Sequence, residues 1–256
     1  MKPSIAKPSL LCVFLVSLTI PFAMGQDRKT HGHGWSYSGA EGPEHWGYLK
    51  PEYASCMRGH RQSPIDIRDA HDADLPSIQF DYKPTALKVI DNGHTIQVNY
   101  DPNSSITIGD RRYELIQFHF HHPSEEEIEG KAYDMVVHLV HRAQNGNLAV
   151  VAVLLTKGRA NALVQELWEH LPETKGKETL IDRIEINAVD LLPADRGYYS
   201  FSGSLTTPPC TEGVSWFVLK TPTEISSAQV TQFARLYPDN ARPVQPLYGR
   251  TVQKTK

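Results

Sequence analysis

Gln117-Phe118-His119-Phe120-His121, answered by Val136-Val137-His138-Leu139-Val140-His141, is the stretch from which the rest of the chain can be read. Side chains alternate across a strand, so a strand over 113–121 turns Gln117, His119 and His121 to one face and Phe118, Phe120 and His122 to the other. Residues 135–141 are a second strand-like run. The link between them carries Pro123, Gly130 and the acids Glu125, Glu126, Glu127, Glu129 and Asp134, and reads as a solvated turn. Antiparallel pairing of the two runs brings His138 to the first two imidazoles. Three neutral imidazoles with an open fourth position suit a catalytic zinc, because the open position holds the reacting water. An isolated His-x-His pair is more often incidental, and His122 or His141 alone reads as a surface or internally satisfied histidine. A third histidine on a neighbouring apolar strand sets metal binding against that plainer reading.

Outward from this pair, short strand signals alternate with turns. Residues 78–82, 87–90 and 95–100 surround Asp91-Asn92-Gly93, a strong hairpin cue, with His94 directly after it. The continuous apolar run 148–155 is expected of a strand covered on both faces. Further strands are expected over 198–205 and 214–220. Amphipathic helices are expected over 161–171 and 227–237, the second capped by Ser226 with Gln229 three residues on. The aromatic and Pro/Gly-rich segment from Trp35 to Gly47 cannot be a regular helix and suggests irregular chain packed over a core. The sum is a large central sheet with peripheral helices, α+β in class.

The chain has 256 residues. Lys2 and Lys7, an apolar run over 10–20 and Ala23-Met24-Gly25 have the layout of an export signal cleaved before Gln26. That divides the chain into a leader, 1–25, a mobile lead-in, 26–34, and one catalytic domain, 35–256. The apolar run is short for a membrane span, and nothing later approaches the ~20 apolar residues required. Loss of Lys2 and Lys7 takes the formal charge from −3 to −5. No basic cluster offsets it, which argues against nucleic acid as a partner. The mature chain keeps Cys56 and Cys210. An even pair in an exported protein is most simply a disulfide, two separate buried thiols being the alternative.

These residues resemble the α-class carbonic anhydrases, and more closely their exported bacterial branch. The resemblance rests on an ordered set of motifs: Trp35-Ser-Tyr-Ser-Gly, Gly42-Pro-Glu-His-Trp, Gln62-Ser-Pro-Ile-Asp-Ile, Asn92-Gly-His94, Gln117-Phe-His-Phe-His, His138-Leu-Val-His and Ser204-Leu-Thr-Thr-Pro-Pro-Cys-Thr-Glu. It implies a ten-stranded type of sheet, Zn²⁺ on His119, His121 and His138, and reversible hydration of CO₂ to bicarbonate by zinc-hydroxide attack. His94 would be the proton shuttle. Thr206 would be a gatekeeper hydroxyl that donates to an ionised Glu125. Val140, Val150, Leu205, Val214 and Trp216 would wall the CO₂ site. Thr207, Tyr37, Asn92, Gln97 and Gln117 would hold substrate or water, with Gln117 also reaching His119. The same branch pairs Cys56 with Cys210. Sulfonamide and anion inhibitors are implied, and a homodimer is allowed.

Two positions depart from the family pattern. A glutamate is usual two residues before the third ligand histidine, where Val136 stands, and a histidine is usual at Glu126. Loss of such a ligand-orienting carboxylate costs about 10- to 100-fold in metal affinity or activity. Glu126 would either add charge that raises the pKa of the bound water or take over the missing contact. Two rivals follow. One is a carbonic-anhydrase-like zinc-binding module with little or no turnover, for which Val136 is the support. The other is a cupin-type metal oxygenase, because His119-x-His121-x₃-Glu125 mimics that spacing, although Tyr113 and Ala132 stand where its glycines belong.

Overall fold

The computed structural model describes Met1 and residues 34–256. The expected leader apart from Met1, and the expected lead-in apart from Gly34, lie outside the described residues. Among the described residues, alternation of buried side chains builds a twisted, mostly antiparallel sheet of thirteen strands, ten of them on one continuous path. In spatial order the path runs Thr179–Ile186, Thr85–Asp91, Ile96–Asn99, Arg111–His121, Met135–Arg142, Leu148–Lys157, Glu212–Leu219, Tyr198–Ser204, Gln253–Thr255, His71–Ala73. The two histidine strands are antiparallel neighbours at its middle.

The apolar run Leu148–Lys157 is covered on both faces, as its composition requires. Ala149, Val151, Val153 and Leu155 join one core, and Val150, Ala152 and Leu154 join the other. The first core holds Phe118 and Phe120 and is closed by two longer helices, Ala162–Glu169 and Ser227–Leu236, through Trp168 and Phe233. Both helices start where polar side chains satisfy their free amides. Asn161 accepts from Val164, and Ser226 and Gln229 form a reciprocal capping box. Burying each large aliphatic side chain contributes about 1.5–3 kcal/mol. Val153→Asp, which removes that term and leaves a charge without a partner between two layers, would break the sheet at its centre.

Two expectations need correction. The link after His121 is not solvated where it matters: Ser124, Glu125 and Glu126 are 3%, 2% and 0% exposed. Glu127–Ile128 and Lys131–Ala132 form a small hairpin that pairs in parallel with Asp66–Ile67, and this draws the preceding acids beneath the surface. Composition alone cannot separate a solvated acid from one buried against donors. The edge strand Thr179–Ile186 is also absent from the sequence reading. Its alternation is interrupted by Asp182-Arg183, where a register shift lies between Ile181 and Glu185. Such charge and irregularity protect an edge from further pairing while erasing the signal of a strand.

Candidate metal centre

Strand register brings the three histidines together. His138 is directly opposite His119, and Val136 is opposite His121. Each histidine offers one nitrogen, and these ligand atoms all lie within 4.8 Å of one another. An acceptor on the far nitrogen sets each tautomer. His119 Nδ1–H donates to Gln117 Oε1 at 2.9 Å, and His121 Nδ1–H donates to the Asn240 carbonyl at 2.7 Å. His138 Nε2–H donates to both oxygens of Glu126 at 3.1 Å. Nε2 of His119 and His121 and Nδ1 of His138 are thereby left to face inward.

Burial pushes the His119 imidazole down to about 3 and the His121 imidazole well below its usual range. Both are held neutral, with a lone pair to give. Burial also pulls His138 down, but Glu126 and then Glu125 outweigh it, and its pKa ends up raised. His121 Nε2 is buried without a hydrogen bond, and Glu125 Oε2, also lacking one, stands 3.5 Å away. Three converging imidazole nitrogens, one of them an unsatisfied buried atom, fit a divalent cation with nitrogen preference such as zinc.

The contact missing at Val136 is made by Glu126. Val136 is fully buried in the apolar cluster with Ile65, Ile67 and Trp216, while the Glu126 carboxylate reaches His138 from the link. Of the two roles open to Glu126, the geometry supports the takeover.

Glu125 occupies a second buried position. Burial pushes its carboxyl up to about 7, against the opposing pull of His138. The Thr206 side chain beside it works against that rise, and Oε1 accepts the Arg242 backbone N–H at 2.8 Å. Arg242 is itself 2% exposed, with its guanidinium donating to Gln62 Oε1 (2.9 Å), the Ser63 carbonyl (2.8 Å) and the Cys56 carbonyl (2.8 Å). Cys56 and Cys210 are joined as a disulfide, which ties the loop carrying Thr206 and Thr207 to this buried arginine. Neither Arg242 nor Asn240 carries a motif signal. Each lies more than a hundred residues from its partners, so no local pattern could have exposed it.

Val140, Val150, Leu205, Val214 and Trp216 gather in one cluster, and the Trp216 ring lies 4.9 Å from that of His138. Gln97 is opposite His119, with its amide oxygen accepting from Asn92 at 3.3 Å. His94 lies on a turn outside the triad, stacked on Trp35 with ring centroids 3.7 Å apart, and Tyr37 meets it edge-on at 6.4 Å.

The family model of eukaryotic-type carbonic anhydrases matches residues 41–256. The chain belongs to that family. A carbonic anhydrase of Nostoc sp. is 47% identical over 223 residues, covering 85% of this chain and 84% of the relative. One from Neisseria gonorrhoeae is 44% identical over 247 residues, covering 96% of each. The solved α-carbonic anhydrase of Thermovibrio ammonificans, in complex with the inhibitor sulfanilamide, superposes with a TM-score of 0.84 at 44% identity, covering 88% of this chain and all of that one. In this carbonic anhydrase three histidines converge, and the carboxylate on His138 comes from the link, at Glu126. Membership removes the cupin-type alternative. Among the described residues no helix is long and apolar enough to cross a membrane.

Proposed function

We propose that this carbonic anhydrase catalyses the reversible hydration of CO₂ with zinc on His119, His121 and His138, in a catalytic domain spanning 35–256 behind a cleaved export leader, 1–25. The observation that carries the reading is the convergence of three inward imidazole nitrogens within 4.8 Å, each oriented by an acceptor on its other nitrogen. Zinc held there would act as a Lewis acid that ionises a bound water near neutrality, the family's own value being about 7.

The chain's residues divide the remaining work. Glu125 takes the Thr206 hydroxyl proton in a hydrogen bond, so the Thr206 oxygen is left to accept from a protonated atom at the centre and to orient it. Trp216, Val140, Val150, Val214 and Leu205 offer CO₂, which is small and uncharged, an apolar wall. Thr207 and Gln117 are suited to hold bicarbonate or water, as are Tyr37, Asn92 and Gln97. His94 takes up the product proton and passes it to buffer, a task suited to an imidazole whose unperturbed pKa is about 6.5. The leader pattern and the Cys56–Cys210 disulfide support a periplasmic or secreted location. Sulfonamides and small anions would compete for the open metal position, as sulfanilamide is bound to the Thermovibrio relative.

The test is stopped-flow CO₂ hydration by the purified protein, with zinc measured on the same sample. Sulfonamide-sensitive hydration at one zinc per chain is expected. Full zinc occupancy with no rate above buffer would replace this reading with that of a zinc-binding module without turnover.

A further inference from the structure

The segment that follows the helix Ser227–Leu236, Tyr237-Pro238-Asp239-Asn240-Ala241-Arg242, reaches the His94 turn, His121 and Glu125. The Tyr237 hydroxyl donates to Asp91 Oδ1, which also accepts the Gly93 N–H at 2.9 Å. The Pro238 carbonyl lies 2.8 Å from His122 Nδ1 and accepts from it. The Arg242 N–H donates to Glu125 at 2.8 Å. Asn240, fully buried, sits at the centre of this strap.

Every polar group of Asn240 is engaged. Its carbonyl accepts from the metal-facing His121 at 2.7 Å, and its N–H donates to the His122 carbonyl at 3.1 Å. Its side-chain oxygen accepts the His122 N–H at 2.8 Å. Its side-chain amide donates twice, to the His94 carbonyl and to the Phe120 carbonyl, each at 3.0 Å. Only a side chain with two donors and one acceptor at this length meets that demand, and an ionised aspartate has no donor to offer. Thr95 Oγ1 adds a parallel tie to the Phe120 carbonyl at 2.5 Å. The turn itself is closed by Asn92 Oδ1, which accepts the His94 and Thr95 N–H groups at 3.0 Å each, while Gly93 takes a φ of 89°. The turn is thus closed within itself, and the Asn240 amide, beside the Thr95 hydroxyl, joins it to the strand that carries His119 and His121.

We propose that the Asn240 side-chain amide is a positioning residue for proton transfer, fixing the His94 turn relative to the ligand strand and so setting the reach of the shuttle separately from the hydrating centre. The inference rests on His94 being the shuttle. Proton transfer is steep in donor–acceptor geometry, so a displaced turn slows this step while the triad, still held through the Asn240 backbone carbonyl, keeps its chemistry.

The test uses the full zinc-loaded protein and its Asn240→Ala and Asn240→Asp variants. In weak buffer kcat should fall about ten-fold, the effect of ~1.4 kcal/mol on a barrier. Over the same comparison kcat/KM should change by no more than about two-fold. Added imidazole should restore kcat, and in a His94→Ala background the Asn240 change should cost nothing further. Amide exchange at Gly93, His94 and Thr95 should quicken in zinc-loaded and metal-free protein alike, a readout independent of turnover. Should both Asn240 variants fail to fold, Tyr237→Phe loosens the same turn from the Asp91 side and should give the same split to a smaller degree. Parallel loss of kcat and kcat/KM, or an undiminished loss in the His94→Ala background, overturns the inference. A wild type whose kcat ignores buffer and equals that of His94→Ala removes the shuttle assignment and the inference with it. A buffer-dependent wild type with unaffected Asn240 variants overturns the inference alone.

Discussion

His138 and His141 stand on one strand and are 1% and 0% exposed, yet their imidazoles are driven in opposite directions. His138 faces two carboxylates, with Glu126 bonded to its outer nitrogen, and its pKa is raised. His141 faces the other core, where its Nε2 lies 2.8 Å from the Tyr82 hydroxyl, and burial pushes it down to about 3. A neutral hydroxyl does little to retain a proton that burial disfavours, whereas a carboxylate does. Equal burial on the same strand therefore yields one histidine oriented for a metal and one neutral core histidine. What separates them is the partner that a distant segment delivers.

The sharpest break of this comparison is His138→Ala. It should strip the zinc and lower CO₂ hydration by about 10³-fold or more, as expected when several kcal/mol of Lewis-acid stabilisation are lost. The corresponding His141 variants should leave metal content and rate intact. Elemental analysis with stopped-flow kinetics reads both, and full zinc in His138→Ala would dissolve the distinction.

Next in size is Glu126→Ala, which should weaken zinc binding about 10- to 100-fold in a chelator competition. Adding Val136→Glu should recover part of that loss, since a carboxylate from the strand could serve the same nitrogen. An unchanged affinity in the single variant would show that the Glu126 contact orients nothing.

On the other face, His141→Leu orphans the buried Tyr82 hydroxyl and should cost about 1–3 kcal/mol in urea unfolding. Tyr82→Phe added to it should return most of that stability, because both polar partners are then gone.

The last test is in the pH dependence. The His141 pKa is about 3 in the folded protein and about 6.5 when unfolded, so between these values the unfolded chain binds the extra proton. Its contribution is whole above pH ~6.5 and is lost as pH falls toward 3, with a slope of up to ~1.4 kcal/mol per pH unit. The metal-free double variant Tyr82→Phe/His141→Leu should unfold with a correspondingly shallower acid limb. An identical limb would mean that His141 is charged in the fold.

Much of the frame was legible because strand and helix periods are local. The two-residue period put His119 and His121 on one face and Phe118 and Phe120 on the other, and the run around Val151 announced a strand with cover on both sides. Ser226 and Gln229 marked a helix start for the same reason. The acids of the link were misread because composition records charge and not surroundings, so Glu125 and Glu126 looked solvated. The edge strand Thr179–Ile186 was missed because protection against further pairing had broken its alternation.

The sequence by itself determined which side chains can share a face, and with that the pairing of His119 and His121 and the candidacy of His138. Only the tertiary structure decided which nitrogen of each ring turns inward, that Glu126 stands in for a carboxylate absent at Val136, and that Asn240 joins His121 to the His94 turn. The physical reason is distance along the chain. The acceptor for His121 lies 119 residues away, and the donor to the His94 carbonyl lies 146 away. Hydrogen bonds of that span have no period to betray them. They exist only once two buried cores have brought the segments together.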